Sequence, residues 1–196
     1  ARRDAGVAGR GARRIRRLTP ATASSMTDVS PLAVALIVMG GFLLMEPLTA
    51  ATHRWIMHGV GDWFHRSHHR PGTPSGWERN DWFPVAFAAL VMFGFWIGFN
   101  TDLAALVPLG IGVTLYGIAY ALVHDGYIHR RIDPFGSRRI AALDRLADAH
   151  RIHHLYNAAP YGMLAPMVPA ELRSRAAGTD RDPFAEIERS VSATGS

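Results

Sequence analysis

The sequence predicts an all-α integral membrane protein, a bundle of three or four transmembrane helices that carries a cytoplasmic, histidine-rich helical cap. Three apolar runs follow one another within 196 residues. Each is close to the roughly 20 residues that an α-helix needs to cross a bilayer. The chain also has ten histidines, and all of them lie outside the runs, in three short windows.

The three apolar runs contain almost no charge. The first, from Pro31 to Thr52, has a single charged residue, Glu46, and the runs Trp82 to Asn100 and Leu103 to Val123 have none. The alternative is three buried helices of a soluble bundle. Three runs of this length in so short a chain favour the membrane.

The predicted topology follows from the short link Asn100 to Asp102. It makes the second and third helices a hairpin, so their other ends, with segments 53–81 and 124–154, lie on one side. Both segments are rich in arginine, and arginine-rich loops stay in the cytoplasm. We therefore expect an integral membrane protein with its histidine clusters on the cytoplasmic side.

The remaining sequence divides into two tails and one domain. Residues 1–25 carry seven arginines and one acid, and the rest of the chain carries 14 arginines and 15 acids, so its overall basicity gives no reason to expect a nucleic-acid partner. We expect 1–25 to be a non-native or targeting tail, either an organellar transit peptide or sequence upstream of a start at Met26. Residues 26–170 are the predicted membrane domain, and 171–196 a polar C-terminal tail.

Two further elements are expected after the third run. Residues 137–154 have the apolar spacing of a surface helix, with Ser137 as its cap. The Pro-interrupted apolar stretch "YNAAPYGMLAPMVP" that follows is expected on the membrane surface.

The histidines form a doubled pattern: H-x4-H and then H-x2-H-H, twice over. They are His53, His58, His65, His68, His69, His124, His129, His150, His153 and His154. Positions i, i+3 and i+4 share a helix face, so each H-x2-H-H trio is predicted to converge on one point. Because imidazole is a ligand for iron, copper, nickel and zinc, ten of them at one membrane level predict two metal ions.

The H-x4-H pairs do not fit a regular α-helix, which turns about 140° over five residues. Three explanations remain open: the helix ends near Gly59, it carries a π-bulge, or the two histidines of a pair serve different metals.

Outer partners of the metal ligands are also predicted. A ligating histidine usually donates its second N–H to a carboxylate or a carbonyl. Glu46, inside the first apolar run, is predicted to orient His53 or a neighbour, and Asp125 and Asp148 are weaker candidates because solvated loop charge explains them equally well.

A pair of metals held by neutral imidazoles at a membrane surface indicates chemistry on a long hydrophobic substrate. Iron suits it because iron changes redox state and activates oxygen, which zinc does not. The expected activity is that of a mono-oxygenase or desaturase that uses O2 and an external electron donor.

Five segments resemble the bacterial β-carotene hydroxylases of the fatty acid hydroxylase superfamily: "HRWIMHG", "FHRSHH", "ERNDWFPVAFA", "ALVHDGYIHRR" and "DAHRIHH". The resemblance implies two irons bound by the ten histidines, hydroxylation of the β-ionone ring at carbon 3 (β-carotene to β-cryptoxanthin to zeaxanthin), and electrons from a ferredoxin and its reductase. The chain departs from these relatives after His154, at "LYNAAPYGML", and in its N-terminal tail.

Alternatives remain open at this point. Another membrane di-iron fatty-acid or sterol hydroxylase or desaturase would share the site, as would a carotenoid ketolase, which the x4 spacing and "HDG" disfavour. From other classes come a metal-transport or metal-sensing protein and a non-catalytic membrane protein with structural zinc.

Overall fold

The computed structural model describes residues 30–70 and 77–184. The predicted tail 1–25 and the end of the polar tail, 185–196, lie outside the described residues. Within the described part every regular element is helical, which confirms the predicted all-α class.

Three long helices form the bundle, and the predicted apolar runs correspond to them closely. They are α1 (Pro31–Thr52), α3 (Trp82–Asn100) and α4 (Leu106–Ala121). With their flanking turns, all three are long and apolar enough to span a membrane. Ser30 caps the first through a hydrogen bond from Ala33 N, and Pro31 occupies its first turn, where no N–H is needed.

The apolar side chains of these helices point mostly outward. In the most apolar stretch of each span, only 11%, 6% and 28% of the residues, in chain order, are buried within the protein. In water such an arrangement would expose large apolar patches, whereas in a bilayer the same surface faces lipid. This inside-out distribution agrees with the prediction of a membrane bundle.

Small residues let α1 and α4 approach each other closely. A Cβ added to Gly112 would lie 2.1 Å from the carbonyl oxygen of Val38, and one added to Gly41 would lie 2.9 Å from that of Leu109. Small residues at helix contacts are the usual way for membrane helices to pack, because lipid provides no hydrophobic drive between them. This contact fixes the ends of α1 and α4 side by side.

Each of these two helices continues into a π-helical turn at the same end of the bundle. The turn π1 (His53–Val60) follows α1, and π2 (Leu122–Ile128) follows α4. At Gly59 the backbone leaves the helical region, so the chain bends into the short helix α2 (Asp62–His65).

Before the second span, a 3-10 turn (Arg79–Asp81) carries a reciprocal capping box, in which Asp81 accepts from Glu78 N. Two further helices follow the third span, α5 (Ala141–Tyr156) and α6 (Ala170–Ala177).

The predicted start of the surface helix at Ser137 is wrong, since α5 begins at Ala141. A tertiary contact sets this boundary: the Tyr127 hydroxyl accepts from Ile140 N and donates to Asp144 Oδ1. The preceding turn through Gly136, whose φ is +57°, keeps Ser137 out of the helix.

Candidate metal centre

Nine of the histidines form two clusters at the end of the bundle where the π-helical turns lie. In each cluster one ring nitrogen from every member lies within 4.8 Å of all the others. The first cluster consists of His53, His58, His65, His69 and His153. The second consists of His68, His124, His129 and His150. The tenth histidine, His154, places its Nε2 2.9 Å from His150 Nε2, beside the second cluster.

The middle histidine of each H-x2-H-H trio lies in the other cluster from its two neighbours, an arrangement called here the exchange of the middle rings. The prediction that each trio converges on one point is therefore wrong. His65 and His69 belong to the first cluster, while His68 reaches the second. Likewise His150 and His154 lie at the second, while His153 reaches the first. In α5 adjacent residues are about 100° apart, so the rings of His153 and His154 separate onto two sites. His68 and His69 are in the turn after α2, where their rings separate in the same way.

The π-helical turns resolve the H-x4-H spacing. In π2, His129 N donates to His124 O over 2.8 Å, the i to i+5 bond that defines a π-helix. The wider turn brings residues five apart onto one face, so both members of each pair join the same cluster. Of the three explanations, the π-bulge holds for both pairs.

In the first cluster, two ring nitrogens face each other with no proton between them. His53 Nδ1 lies 3.0 Å from the Tyr161 carbonyl oxygen, and His65 Nδ1 lies 2.7 Å from Asn80 Oδ1. Both Nδ1 atoms must therefore carry hydrogen, since their partners only accept. That leaves lone pairs on both Nε2 atoms, which are 3.0 Å apart. Two lone pairs at this distance repel unless a cation lies between them.

The second cluster repeats this arrangement with carboxylates as acceptors. His68 Nδ1 donates to Glu78 Oε1 over 3.1 Å, and His124 Nδ1 donates to Asp125 Oδ1 over 2.9 Å. Their Nε2 atoms, which carry lone pairs in the neutral rings, are 3.0 Å apart. The donor chemistry of both clusters therefore fits a metal cation.

Burial lowers the pKa of three histidines of the first cluster and so favours the neutral imidazole that metal ligation requires. It lowers the pKa of His65 to about 3, despite the opposing hydrogen bond to Asn80. It also lowers the pKa of His69 and of His153 to about 2, and neighbouring histidines add to both effects. Protonation of these three rings therefore does not explain the close contacts between ring nitrogens in the first cluster.

Glu46 does not contact a histidine. Its Oε2 accepts from the Tyr116 hydroxyl at 2.6 Å and from Leu164 N at 3.0 Å, and its Oε1 accepts from Ala165 N at 2.9 Å. His53 lies two helical turns, about 10 Å, further along the helix, beyond the reach of a glutamate side chain. Glu46 therefore holds segment 158–165, defined here as the strap.

The strap supplies backbone acceptors to the first cluster. The Tyr161 carbonyl accepts from His53, and the Ala158 carbonyl accepts from His153 Nδ1 at 2.5 Å. A Cβ on Gly162 would lie 2.5 Å from Glu46 Oε1, so a larger residue there would displace the carboxylate that holds the strap. Carbonyl acceptors leave no side-chain signal, which is why the sequence did not reveal them.

The two aspartate candidates differ. Asp125 lies against His124. Asp148 is half exposed and pairs with Arg151 at 3.6 Å, so it lies apart from the ring nitrogens of the clusters. A spacing of two residues from His150 places Asp148 on another side of α5.

Two outer partners were missed from the sequence, Glu78 and Asn80. They precede an apolar helix and are separated by about ten and fifteen residues from the histidines that they contact. The available signal was the polar "ERND" immediately before an apolar run.

A family model described as "Fatty acid hydroxylase" matches residues 17–169, most of the chain. The chain belongs to the fatty acid hydroxylase family. This family assignment agrees with the all-helical membrane fold and the histidine clusters, and it places the chain in a metal-dependent hydroxylase family.

Several curated relatives are named β-carotene hydroxylases. The chain is 38% identical to "Beta-carotene hydroxylase" of Pseudescherichia vulneris over 144 residues, which is 71% of this chain and 81% of that protein. It is 42% identical to the Pantoea ananas protein of the same name over 120 residues, 61% of this chain and 67% of that one.

A chloroplast relative is longer. The chain is 40% identical to "Beta-carotene 3-hydroxylase, chloroplastic" of Haematococcus lacustris over 146 residues, which is 70% of this chain but 44% of the algal protein. No solved structure matches the chain significantly.

Proposed function

We propose that this chain is a membrane di-iron mono-oxygenase that hydroxylates the β-ionone rings of carotenoids at carbon 3. β-Carotene would be converted to β-cryptoxanthin and then to zeaxanthin. Each step would consume O2, two electrons and two protons, and would release one water. The relatives named β-carotene hydroxylases support the substrate class.

The observation that carries the chemistry is the pair of histidine clusters in which ring lone pairs face each other. Imidazole nitrogens suit iron as ligands. Bound iron would supply the oxygen activation that is needed to attack an unactivated C–H bond. All-nitrogen ligation also fits zinc, but zinc has no redox chemistry.

The residues of the chain hold this centre in place and limit the access of water to it. His153 and His65 are almost completely buried, at 0% and 2% exposure. Phe184 lies over the second cluster, with its ring parallel to His150 at 6.2 Å. Tyr161 lies against the first cluster, with its ring centre 5.5 to 5.6 Å from three of its imidazoles.

The substrate is proposed to reach the site from the bilayer, because the clusters adjoin the ends of two membrane spans. A ferredoxin, reduced by its reductase, is the proposed electron donor, and the inner membrane with the clusters facing the cytoplasm is the proposed location. Exposed arginines at this end, such as Arg138, would attract an acidic donor. Arg131 is not available for this role, because Asp81 binds it at 2.7 Å.

The test is expression of the chain in a bacterium that accumulates β-carotene, with chromatography of the extracted pigments. We expect β-cryptoxanthin and zeaxanthin. Purified protein should contain two irons per chain and should consume oxygen when it is given reduced ferredoxin and carotene.

Three results would contradict the proposal. Unchanged β-carotene in cells with the protein in the membrane would remove the carotenoid substrate and favour another lipid. Keto-carotenoids would indicate a ketolase. Stoichiometric zinc without oxygen consumption would indicate a structural metal protein.

A further inference from the structure

We infer that the two metal positions are electrostatically unequal, and that the one held by the second cluster binds its ion more tightly. This inference rests on the proposed metal centre. It comes from the groups that accept hydrogen bonds from the outer nitrogens of the ligands.

The first cluster has only neutral outer partners among the hydrogen bonds of the described residues. His53 donates to the carbonyl of Tyr161, and His153 donates to that of Ala158. The third acceptor is the amide oxygen of Asn80, which receives the bond from His65. None of these groups carries a formal charge.

The second cluster has two carboxylates in the equivalent positions. Glu78 accepts from His68, and Asp125 accepts from His124. Glu78 is only 8% exposed, and its second oxygen, Oε2, is buried and makes no hydrogen bond within the described residues. Solvent therefore screens its charge little, and a carboxylate acceptor makes a ligating imidazole more basic.

The Arg131 guanidinium does not cancel this charge. It forms a two-pronged ion pair with Asp81, at 2.7 Å through both NH1 and NH2. It lies further from Glu78 Oε1, at 3.6 Å, and from Asp125 Oδ1, at 3.7 Å. One guanidinium thus faces three carboxylates, and the surroundings of the second cluster remain negative.

Charged groups near the first cluster do not produce the same effect. Glu46 contacts the strap and Tyr116 rather than an imidazole. Asp62 is paired with Arg66 at 2.8 Å, with both side chains substantially exposed to solvent. Arg54 lies over the ring of Tyr161 at 5.9 Å, which adds positive charge on that side.

Two consequences follow for the ions. A cation is held more tightly where the surrounding charge is negative, so the first position should lose its ion first. The second position should also favour the higher oxidation state, since that state carries the extra positive charge.

The inference is tested by removing a carboxylate beside the second cluster and adding one beside the first, with substitutions that barely change the shape of the side chain. Glu78→Gln removes the carboxylate from the second cluster and keeps an oxygen acceptor, and Asn80→Asp adds a carboxylate to the first. Asp125→Asn provides a second, independent removal at the second cluster. The protein would be loaded anaerobically with ferrous iron and mixed with excess chelator, and the iron that remains bound would be counted with time.

We expect two release phases of one iron each in the unaltered chain. Glu78→Gln and Asp125→Asn should accelerate the slow phase by about 10- to 100-fold, the usual effect of removing an outer partner. Asn80→Asp should instead slow the fast phase. Mössbauer spectra of protein loaded with iron-57 should show two doublets of equal area, and Glu78→Gln should move only one of them.

A single release phase in the unaltered chain would overturn the inference, as would Glu78→Gln acting on the fast phase. If the unaltered chain shows a single release phase but still hydroxylates carotene, the two metal positions are equivalent and the proposed function stands. A chain that binds no iron would overturn both.

Discussion

At the scale of single residues, the histidines are suited to metal ligation because an outer group fixes the tautomer of several of them. Tyr161, Asn80, Glu78 and Asp125 each accept from an Nδ1 atom and leave the Nε2 lone pair directed at the cluster. Ligand type, number and doubled spacing are visible in the sequence, so the histidines could be predicted. Most of the acceptors could not, because two of the five in the described residues are backbone carbonyls and two lie in a distant polar turn.

Replacing the middle histidine of either H-x2-H-H trio should abolish hydroxylation. His68→Ala removes a ligand of the second cluster and His153→Ala one of the first, so each should leave an incomplete ligand set. Pigment chromatography would measure the product, and membrane fractionation would verify insertion.

Asp102→Ala is the matched control for these variants. Asp102 is exposed in the link between α3 and α4, away from the clusters, and its replacement should leave product formation unchanged. Continued hydroxylation by both histidine variants would contradict the two-metal proposal.

Glu46→Ala should loosen the strap. It leaves three hydrogen-bond donors without their acceptor, namely the hydroxyl of Tyr116 and the amides of Leu164 and Ala165. Two of these hydrogen bonds are partly buried and one is exposed, so each loss should cost no more than the roughly 1–3 kcal/mol of an unsatisfied buried donor. We expect a lower thermal midpoint in detergent and faster loss of iron from the first cluster, measured by fluorescence and metal analysis.

Tyr116→Phe provides the comparison, because it removes one hydrogen bond of Glu46 and leaves the strap contacts in place. Its effect should be smaller, about 1 kcal/mol. Equal thermal midpoints for Glu46→Ala and the unaltered chain would show that the strap is held by other contacts.

At the scale of elements, the spans follow from apolar length alone, so α1 and α3 have the predicted bounds. The start of α5 was misplaced because the hydroxyl of Tyr127, distant in sequence, determines it. The π-helical turns remained one of three explanations, since the H-x4-H spacing does not reveal the backbone hydrogen bonds that make the turn. The exchange of the middle rings depends on how α5 lies against the bundle, which no local pattern specifies.

Gly112→Ala should separate α1 from α4. The new Cβ would meet the Val38 carbonyl oxygen at 2.1 Å, and backbone atoms cannot move aside as a side chain can. Overpacking of this kind typically costs about 1–3 kcal/mol. We expect a lower thermal midpoint and reduced hydroxylation, because the π-helical turns that continue these two helices would shift relative to each other.

Gly117→Ala lies on the same helix and is the control for this contact. A Cβ there meets nothing within 4 Å, so stability and activity should be retained. If the two alanine variants were equally stable, the close approach of α1 and α4 would not matter for the fold.

At the scale of the whole molecule, the helix directions place the clusters at one end of the bundle and the α3–α4 link at the other. The orientation of the bundle in the membrane is a prediction from the arginine-rich segments. The absence of cysteine from the chain makes single-cysteine labelling a direct test.

We expect Asp102→Cys to react in intact cells with a maleimide that does not cross membranes. Arg138→Cys, in an exposed position near the clusters, should react only after the cells are opened. Labelling would be measured by the mass added to the purified protein. The reverse pattern would place the clusters outside the cytoplasm and would exclude a cytoplasmic ferredoxin as the direct donor.

The exchange of the middle rings has a consequence for biosynthesis. Each cluster takes ligands from both halves of the chain, since His153 from α5 completes the first cluster and His68 from the first half completes the second. A nascent polypeptide therefore lacks a finished pocket for either ion until α5 has left the ribosome. Metal capture should be a late, post-insertion event, and a product truncated before α5 should reach the bilayer without retaining iron.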